Sequence, residues 1–224
     1  MRIRRKPWAR PELEACEFCV KDPGELKGKW RQSFAKDQPL YVELGCGKGG
    51  FISQVSAANQ DINYVAIDIK SEMAAYARRK TVAEFEKAGI DKIENVKLLV
   101  HNIENIDEVF DENDKIDRIY INFCNPWPRG KHNKRRLTYP KKLLRYRTYF
   151  NEGGELWFKT DDDELFADSL EYFKETGYSI KYITYDLHES GFEENTVTEH
   201  EKMFSDEGIK IKFLIAVPGE IEKN

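Results

Sequence analysis

The chain has no apolar run approaching the roughly 18 residues that cross a bilayer. Its basic start, MRIRRKPWAR, lacks the apolar core that a secretory leader carries. Both absences lead to the expectation of a cytoplasmic protein with no membrane contact. Cysteine is scarce. Of four, Cys16 and Cys19 form a lone C-x-x-C, with no second pair to complete a zinc site and no strand-to-helix context for a redox motif. Reduced thiols and no metal are expected. Repeats, low-complexity tracts and Pro/Gly/Ser linkers are also missing, so the 224 residues fit one large domain with a core of its own.

The most informative absence is of negative charge. The net charge is −4, yet no acidic residue lies between Asp117 and Glu152. That window holds ten bases, from Arg118 through Arg129, Lys131, Lys134, Arg135 and Arg136 to Lys141, Lys142, Arg145 and Arg147, and the first ten residues add five more. A solvated surface helix normally intersperses both signs. An acidic body with a segregated basic patch is the electrostatic footprint of a polyanion binder.

What is present reads as strands alternating with helices. PLYVEL (39–44), NYVAID (63–68), VKLLV (96–100), RIYINF (118–123) and GELWFKT (154–160) are strand-like. Between them, SEMAAYARRKTVAEFEKAG (71–89) predicts a helix with Ser71 as N-cap and Gly89 as its stop, and residues 138–150 predict a basic helix. The last two strands, YSIKYITYDL and IKIKFLIAV, are separated by a polar segment with no evident helix and are expected to pair antiparallel. The fold class is therefore α/β, a doubly wound, mostly parallel sheet with an antiparallel edge. Ligands in such sheets bind beyond the carboxyl ends of the strands. Glu43, Asp68, Asn102, Asn125 and Asp161 all fall at such ends.

The stretch ELGCGKGG contains G-x-G-x-x-G (Gly45, Gly47, Gly50), and Asp68 follows at the spacing of a ribose-binding acid. Both would serve NAD. Glu43, two residues before the first glycine, would repel a pyrophosphate and suits a cationic cofactor, so the loop reads as one for S-adenosyl-L-methionine. Asn125-Pro126-Trp127 is similar to the N-P-P-Y/W element of enzymes that methylate nitrogen, in which the first residue orients the target and the aromatic ring stacks on the base. Cytosine-C5 methylation would instead need a cysteine nucleophile. Cys124 is at hand, but strand alternation would turn it to the face opposite Asn125.

With these elements in order, the sequence resembles the bacterial tRNA (guanine-N7)-methyltransferase family along nearly its whole length, from RIRRKPWA through KGKW, VELGCGKGGF, NFCNPWP, KHNKRR and FKTDDDELF to TEHEKMF. The resemblance implies a Rossmann-like methyltransferase fold over residues 36–224, with a basic N-terminal extension, 1–35, packed on it. It implies transfer of a methyl group from S-adenosyl-L-methionine to N7 of guanine 46 in the tRNA variable loop, by a monomer or homodimer. Carried over by position, Glu43, Gly45, Gly47, Asp68, Asn102 and Asn125 contact the cofactor, and Asn125 takes the catalytic position. Arg129, Asp161, Thr198, Glu199 and Glu201 bind substrate, and Lys131, His132, Lys134, Arg135 and Arg136 lie in the RNA-contacting segment. Three positions depart from the family pattern, which usually has Glu at Asp68 and Asp at both Asn102 and Asn125. Guanine N7 bears a lone pair and no proton, so alignment rather than a general base is required. Carboxylates suit the N1–H and exocyclic amine of guanine, and Asp161 and Glu201 are the candidates.

Overall fold

In a computed structural model of the chain, the structure describes residues 6–128 and 130–219. They form two compact units, Met1–Phe110 and Asp111–Asn224.

The first unit contains α1 (Ala9–Glu14), the short β1 (Cys19–Val20), β2 (Leu40–Leu44), α2 (Gly50–Ala58), β3 (Asn63–Asp68), α3 (Ser71–Lys87) and β4 (Val96–Val100). Its four strands are all parallel, in the order β1-β4-β3-β2. Tyr64 to Ile67 of β3 are buried without alternation, the pattern of a parallel strand covered on both faces. Helix α3 begins after Lys70, which occupies the N-cap position expected of Ser71, and no side chain caps it.

The N-terminal segment is fastened to α3. Trp8 packs edge-on against Tyr76, the Arg79 guanidinium lies 3.8 Å over the Trp8 ring, and Arg79 Nε donates to Glu12 at 2.9 Å. Further on, the fully buried Trp30 donates from Nε1 to the Val109 carbonyl at 2.7 Å. Cys16 and Cys19 are joined in a disulfide, which corrects the expectation of two free thiols. The turn between α1 and β1 brings their Cα atoms to 5.2 Å, within bonding range.

The second unit contains β5 (Ile116–Asn122), α4 (Pro140–Tyr149), β6 (Phe150–Thr160), α5 (Asp163–Glu175), β7 (Tyr178–Thr184), α6 (Glu199–Asp206) and β8 (Lys212–Pro218). β5 and β6 are parallel, and β8 runs antiparallel to both β6 and β7, so the strand order is β5-β6-β8-β7. Trp157, Phe192 and Phe213 fill one face of this sheet with ring centroids 5.0–5.5 Å apart. Helix α6, like α1 and β1, is not marked by periodicity. It starts at a capping box, in which the Thr198 hydroxyl accepts from the Glu201 N–H and the Glu201 carboxylate accepts from the Thr198 N–H.

Candidate functional site

In the first unit, β2, β3 and β4 are parallel neighbours, so Glu43, Asp68 and Asn102 share one edge. The glycine loop turns there through left-handed conformations at Gly45, Gly47 and Gly49, with φ of 84°, 53° and 77°. It is laced to β3. The amides of Gly45 and Cys46 donate to the Ile67 carbonyl at 2.8 and 3.0 Å, and the Gly47 amide donates to Asp68 Oδ2 at 3.0 Å. The other Asp68 oxygen accepts from the Lys70 amide at 2.8 Å. Burial raises the Asp68 pKa, and the amides of Lys70 and Gly47 pull against that rise.

Glu43 is buried, with 3 % of its surface exposed. Both acids bear on the loop, because the enclosed Cys46 thiol is pushed well up first by burial and then by the charges of Glu43 and Asp68. Gly49 admits no side chain, since a Cβ would stand 2.5 Å from the Cα and Cβ of Ala77 on α3. Asn102 is exposed and caps the turn Ile103–Glu108, its Oδ1 accepting from the Glu104 amide at 3.1 Å. Beyond β1, β3 and β4 opens a cavity of about 500 Å³, lined by Val20, Ile69, Leu99 and Val100 with Arg10 and Lys21. A close-approach backbone and two acids fit a cationic nucleoside cofactor. They fit a pyrophosphate poorly.

In the second unit, Asn125 and Asp161 follow the carboxyl ends of the parallel pair β5 and β6. The ladder runs one step further, with the Phe123 amide donating to the Lys159 carbonyl at 2.8 Å. Phe123 and Trp127 then take left-handed φ of 50° and 46° on either side of Asn125. Strand geometry has ended, so the alternation argument about Cys124 no longer holds. Burial pushes the Cys124 thiol up to about 12, with the Asp161 charge adding to the rise, which disfavours a thiolate. Asn125 is exposed, and its Oδ1 accepts from the Trp127 amide at 3.0 Å. That leaves its amide nitrogen as the donor of the side chain. The Trp127 ring is flanked by His132, with centroids 5.9 Å apart, and by the Arg135 guanidinium at 4.9 Å.

The basic window divides in two. Arg118 lies 3.8 Å over Trp157 and pairs with Glu155 at 3.0 Å. Lys142 donates to the Lys134 carbonyl at 2.7 Å, and Arg147 to the carbonyls of Thr176 and Gly177 at 3.1 and 2.7 Å. Arg136 is buried against Asp168, Glu164 and the Pro126 carbonyl. These four bases hold the protein together. Lys131, Lys134, Arg135 and Lys141 are exposed, His132 is half-buried, and Arg129 lies outside the described residues.

Of the base-reading candidates, Asp161 is half-exposed and its backbone carbonyl accepts from Lys212 at 2.9 Å. Glu201 is fully buried. Its Oε2 takes Lys159 Nζ at 2.8 Å and its Oε1 takes Asn195 Nδ2 at 2.6 Å, with His188 Nε2 3.3 Å away. Thr198 is buried in the same capping box, while Glu199 is exposed. Arg136 and Glu201 are thus both buried, with their polar atoms engaged by partners in the second unit. Sequence reading also missed His200, whose ring stacks on Phe123 at 6.1 Å and 21° beside the Asn125 loop. No periodicity marks that contact.

The fold is shared with known methyltransferases. A solved structure described as an antibiotic-related methyltransferase aligns over 88 % of this chain and 94 % of its own, with a TM-score of 0.59 at 18 % identity. A 16S rRNA (adenine(1408)-N(1))-methyltransferase from Catenulisporales acidiphilia aligns over 91 % and 94 %, with a TM-score of 0.55 at 14 % identity. This is the Rossmann-like methyltransferase fold. The family model described as "Putative methyltransferase" matches residues 37–214.

Relatives named tRNA (guanine-N(7)-)-methyltransferase are closer in sequence. The one from Ruminiclostridium cellulolyticum is 59 % identical over 96 % of this chain and 92 % of its own, and one from Clostridium botulinum is 58 % identical over 97 % and 99 %. The chain belongs to the tRNA (guanine-N7)-methyltransferase family. Among the described residues, no helix is long and apolar enough to cross a membrane.

Proposed function

We propose that this enzyme transfers a methyl group from S-adenosyl-L-methionine to N7 of guanine 46 in the variable loop of tRNA. The observation that carries the reading is the Asn125 loop, which offers an amide donor beside exposed cations. Glu43, Asp68, Asn102 and the amides around Gly45 and Gly47 are the groups that would hold the cofactor. Asp68 would accept from the ribose hydroxyls and Glu43 would face the cationic end. When bound, the cofactor supplies an electrophilic methyl group on a sulfonium.

The remaining work falls to the second unit. Guanine presents N7 and O6 side by side as acceptors. Because Asn125 Oδ1 is occupied by the Trp127 amide, Nδ2 is the group that can address the base, and it suits O6. A donor on O6 leaves the N7 lone pair unblocked and fixes its direction. The Asp161 carboxylate can accept from N1–H and the exocyclic amine, and its charge favours the cationic methylated product. Trp127 offers a stacking face, and Lys131, Lys134 and Arg135 offer phosphate contacts. Incubation of the enzyme with unmodified tRNA and methyl-labelled cofactor, followed by nucleoside analysis, tests this. Labelled 7-methylguanosine is expected, lost when position 46 is not guanine. Label in any other nucleoside, or none, would refute it.

A further inference from the structure

Among the described residues, the least exposed cation of the basic window contacts the Asn125 loop. Arg136 follows the turn Gly130–Arg135, and its side chain is 1 % exposed. Nε donates to the Pro126 carbonyl at 2.7 Å, one terminal nitrogen donates to Asp168, and the other donates to Glu164 at 3.1 Å. Both acids sit on α5, which ties the loop to a packed helix. Each of the three nitrogens of the fork has a protein acceptor, which uses three of its five N–H groups. With the side chain only 1 % exposed, the remaining N–H groups offer a phosphate almost no surface. Lysine could not reproduce the three bonds, because its ammonium is a point charge without the planar fork.

What the fork holds is the peptide between Asn125 and Trp127. Proline fixes φ at Pro126 and offers no N–H, so its carbonyl is the main-chain handle at that residue, and Arg136 takes it. The next amide, of Trp127, is taken by Asn125 Oδ1. Trp127 holds φ at 46°, a conformation that a non-glycine residue keeps only where its surroundings over-determine it. Arg136 is the buried group that fixes the preceding carbonyl, while the Arg135 guanidinium lies 4.9 Å from the centre of the Trp127 ring.

We infer that Arg136 is a positioning residue for base methylation and not a phosphate contact. It pins the Pro126 carbonyl so that the turn, and with it the amide nitrogen of Asn125, keeps the direction that the guanine requires. The inference rests on the reading of Asn125 given above.

The test compares Arg136→Lys with Lys134→Ala by three measurements: hydrogen exchange at the Trp127 amide, single-turnover rate with tRNA and cofactor saturating, and tRNA affinity against salt. In Arg136→Lys the amide should exchange at least about tenfold faster. The saturating rate should fall about 10²-fold, as a small misplacement does. The salt slope should be unchanged. Lys134→Ala should instead make the slope smaller by about one, with the Trp127 amide exchanging as in the parent. Asp168→Asn weakens the fork from its acid side. It should move exchange and rate in the same direction as Arg136→Lys, which keeps the test available should that variant not fold. A reduced salt slope with the rate retained would overturn the inference, as would faster exchange with no loss of rate. A parent enzyme that makes no 7-methylguanosine would sink the functional reading instead, and the exchange arm would still report whether the fork pins the loop.

Discussion

Asp68 and Asn125 occupy equivalent places, each at or just past the carboxyl end of a parallel strand, yet they are held by different means. Asp68 is gripped by main-chain amides, from Gly47 at 3.0 Å and Lys70 at 2.8 Å. The Asn125 turn is gripped by a side chain ten residues away, through Arg136 on the Pro126 carbonyl. The same contrast runs through both units. The first builds its site from glycine conformations, and the second from buried ion pairs and charge-to-carbonyl clamps. A site built from backbone fails when a side chain is added. One built from clamps fails when a charge is removed.

The largest effect expected of that contrast is at Glu201. Removing it leaves Lys159, which is 5 % exposed, without its buried partner. Glu201→Ala should cost about 3–5 kcal/mol. The double replacement of Lys159→Met with Glu201→Leu should cost much less, because no uncompensated charge remains inside. Urea unfolding of both variants checks this. A single variant no less stable than the double would show that the pair is not what holds the loop of Asn195 and Thr198 against β6.

In the first unit the counterpart is Gly49→Ala. The substitution forces a side chain into φ of 77° and drives its Cβ to 2.5 Å from Ala77. Left-handed strain of about 1–2 kcal/mol and overpacking of about 1–3 kcal/mol together predict a loss near 3 kcal/mol. Circular dichroism during denaturation should register it, and the accompanying Ala77→Gly should recover only part of the loss, because the Ala77 Cα also stands 2.5 Å from the new Cβ and the strain remains. A Gly49→Ala variant as stable as the parent would mean that α2 and α3 have room that their packing denies.

Asp68 sharpens the comparison at the level of binding. Asp68→Ala should weaken S-adenosylhomocysteine by about 1.5–3 kcal/mol, the cost of unpaired ribose hydroxyls. Its raised pKa gives two opposite pH signs. Below the unfolded-state value the proton is bound in both states and burial costs nothing. Above the folded value the charged form bears the desolvation cost, so this group makes stability fall as pH rises through that window. Cofactor binding instead needs the carboxylate and should weaken as pH falls through the same window. Calorimetric titration across mildly acid pH should show that step in the parent, and Asp68→Asn should lack it. A step that persists in Asp68→Asn would assign the titration to another group.

The degree to which each half could be read in the sequence follows from the same difference. A glycine turn needs glycine, and an acid at the next strand's end needs fixed spacing, so Glu43, Gly45, Gly47 and Asp68 stand out in one dimension. The strands NYVAID and VKLLV coincide with β3 and β4 because unbroken apolar runs between turns leave little latitude. Clamps leave no such trace. Arg118, Arg136, Lys142 and Arg147 count as surface charge until the carbonyls and acids that receive them are seen, far away in the chain. Helix α6 is the instructive miss. Thr198 and Glu201 were legible as a motif, but T-x-x-E is also a capping box, and that local signal announces a helix start. The disulfide was missed for a third reason: compartment arguments weigh thiols by surroundings, whereas a turn that sets two Cα atoms 5.2 Å apart decides by geometry.

The smallest expected effect separates the clamps from the cations that meet RNA. Lys134 and Lys142 are both lysines of the same basic window, and composition does not distinguish them. Lys134 is exposed, while Lys142 is 3 % exposed and donates its ammonium to the Lys134 carbonyl. If the patch binds tRNA through phosphates, Lys134→Ala should reduce the slope of log affinity against log salt by about one. Lys142→Met should leave that slope where it was, since its charge meets no phosphate, and should lower thermal stability instead, having removed a charge-assisted bond worth about 1.5–3 kcal/mol. Electrophoretic or fluorescence titrations of the two variants over a salt series, read beside their melting curves, give both quantities. Equal loss of slope in the two would mean that Lys142 leaves its carbonyl when tRNA binds. The division of the basic window into clamps and contacts would then fail at the place where it is drawn most finely.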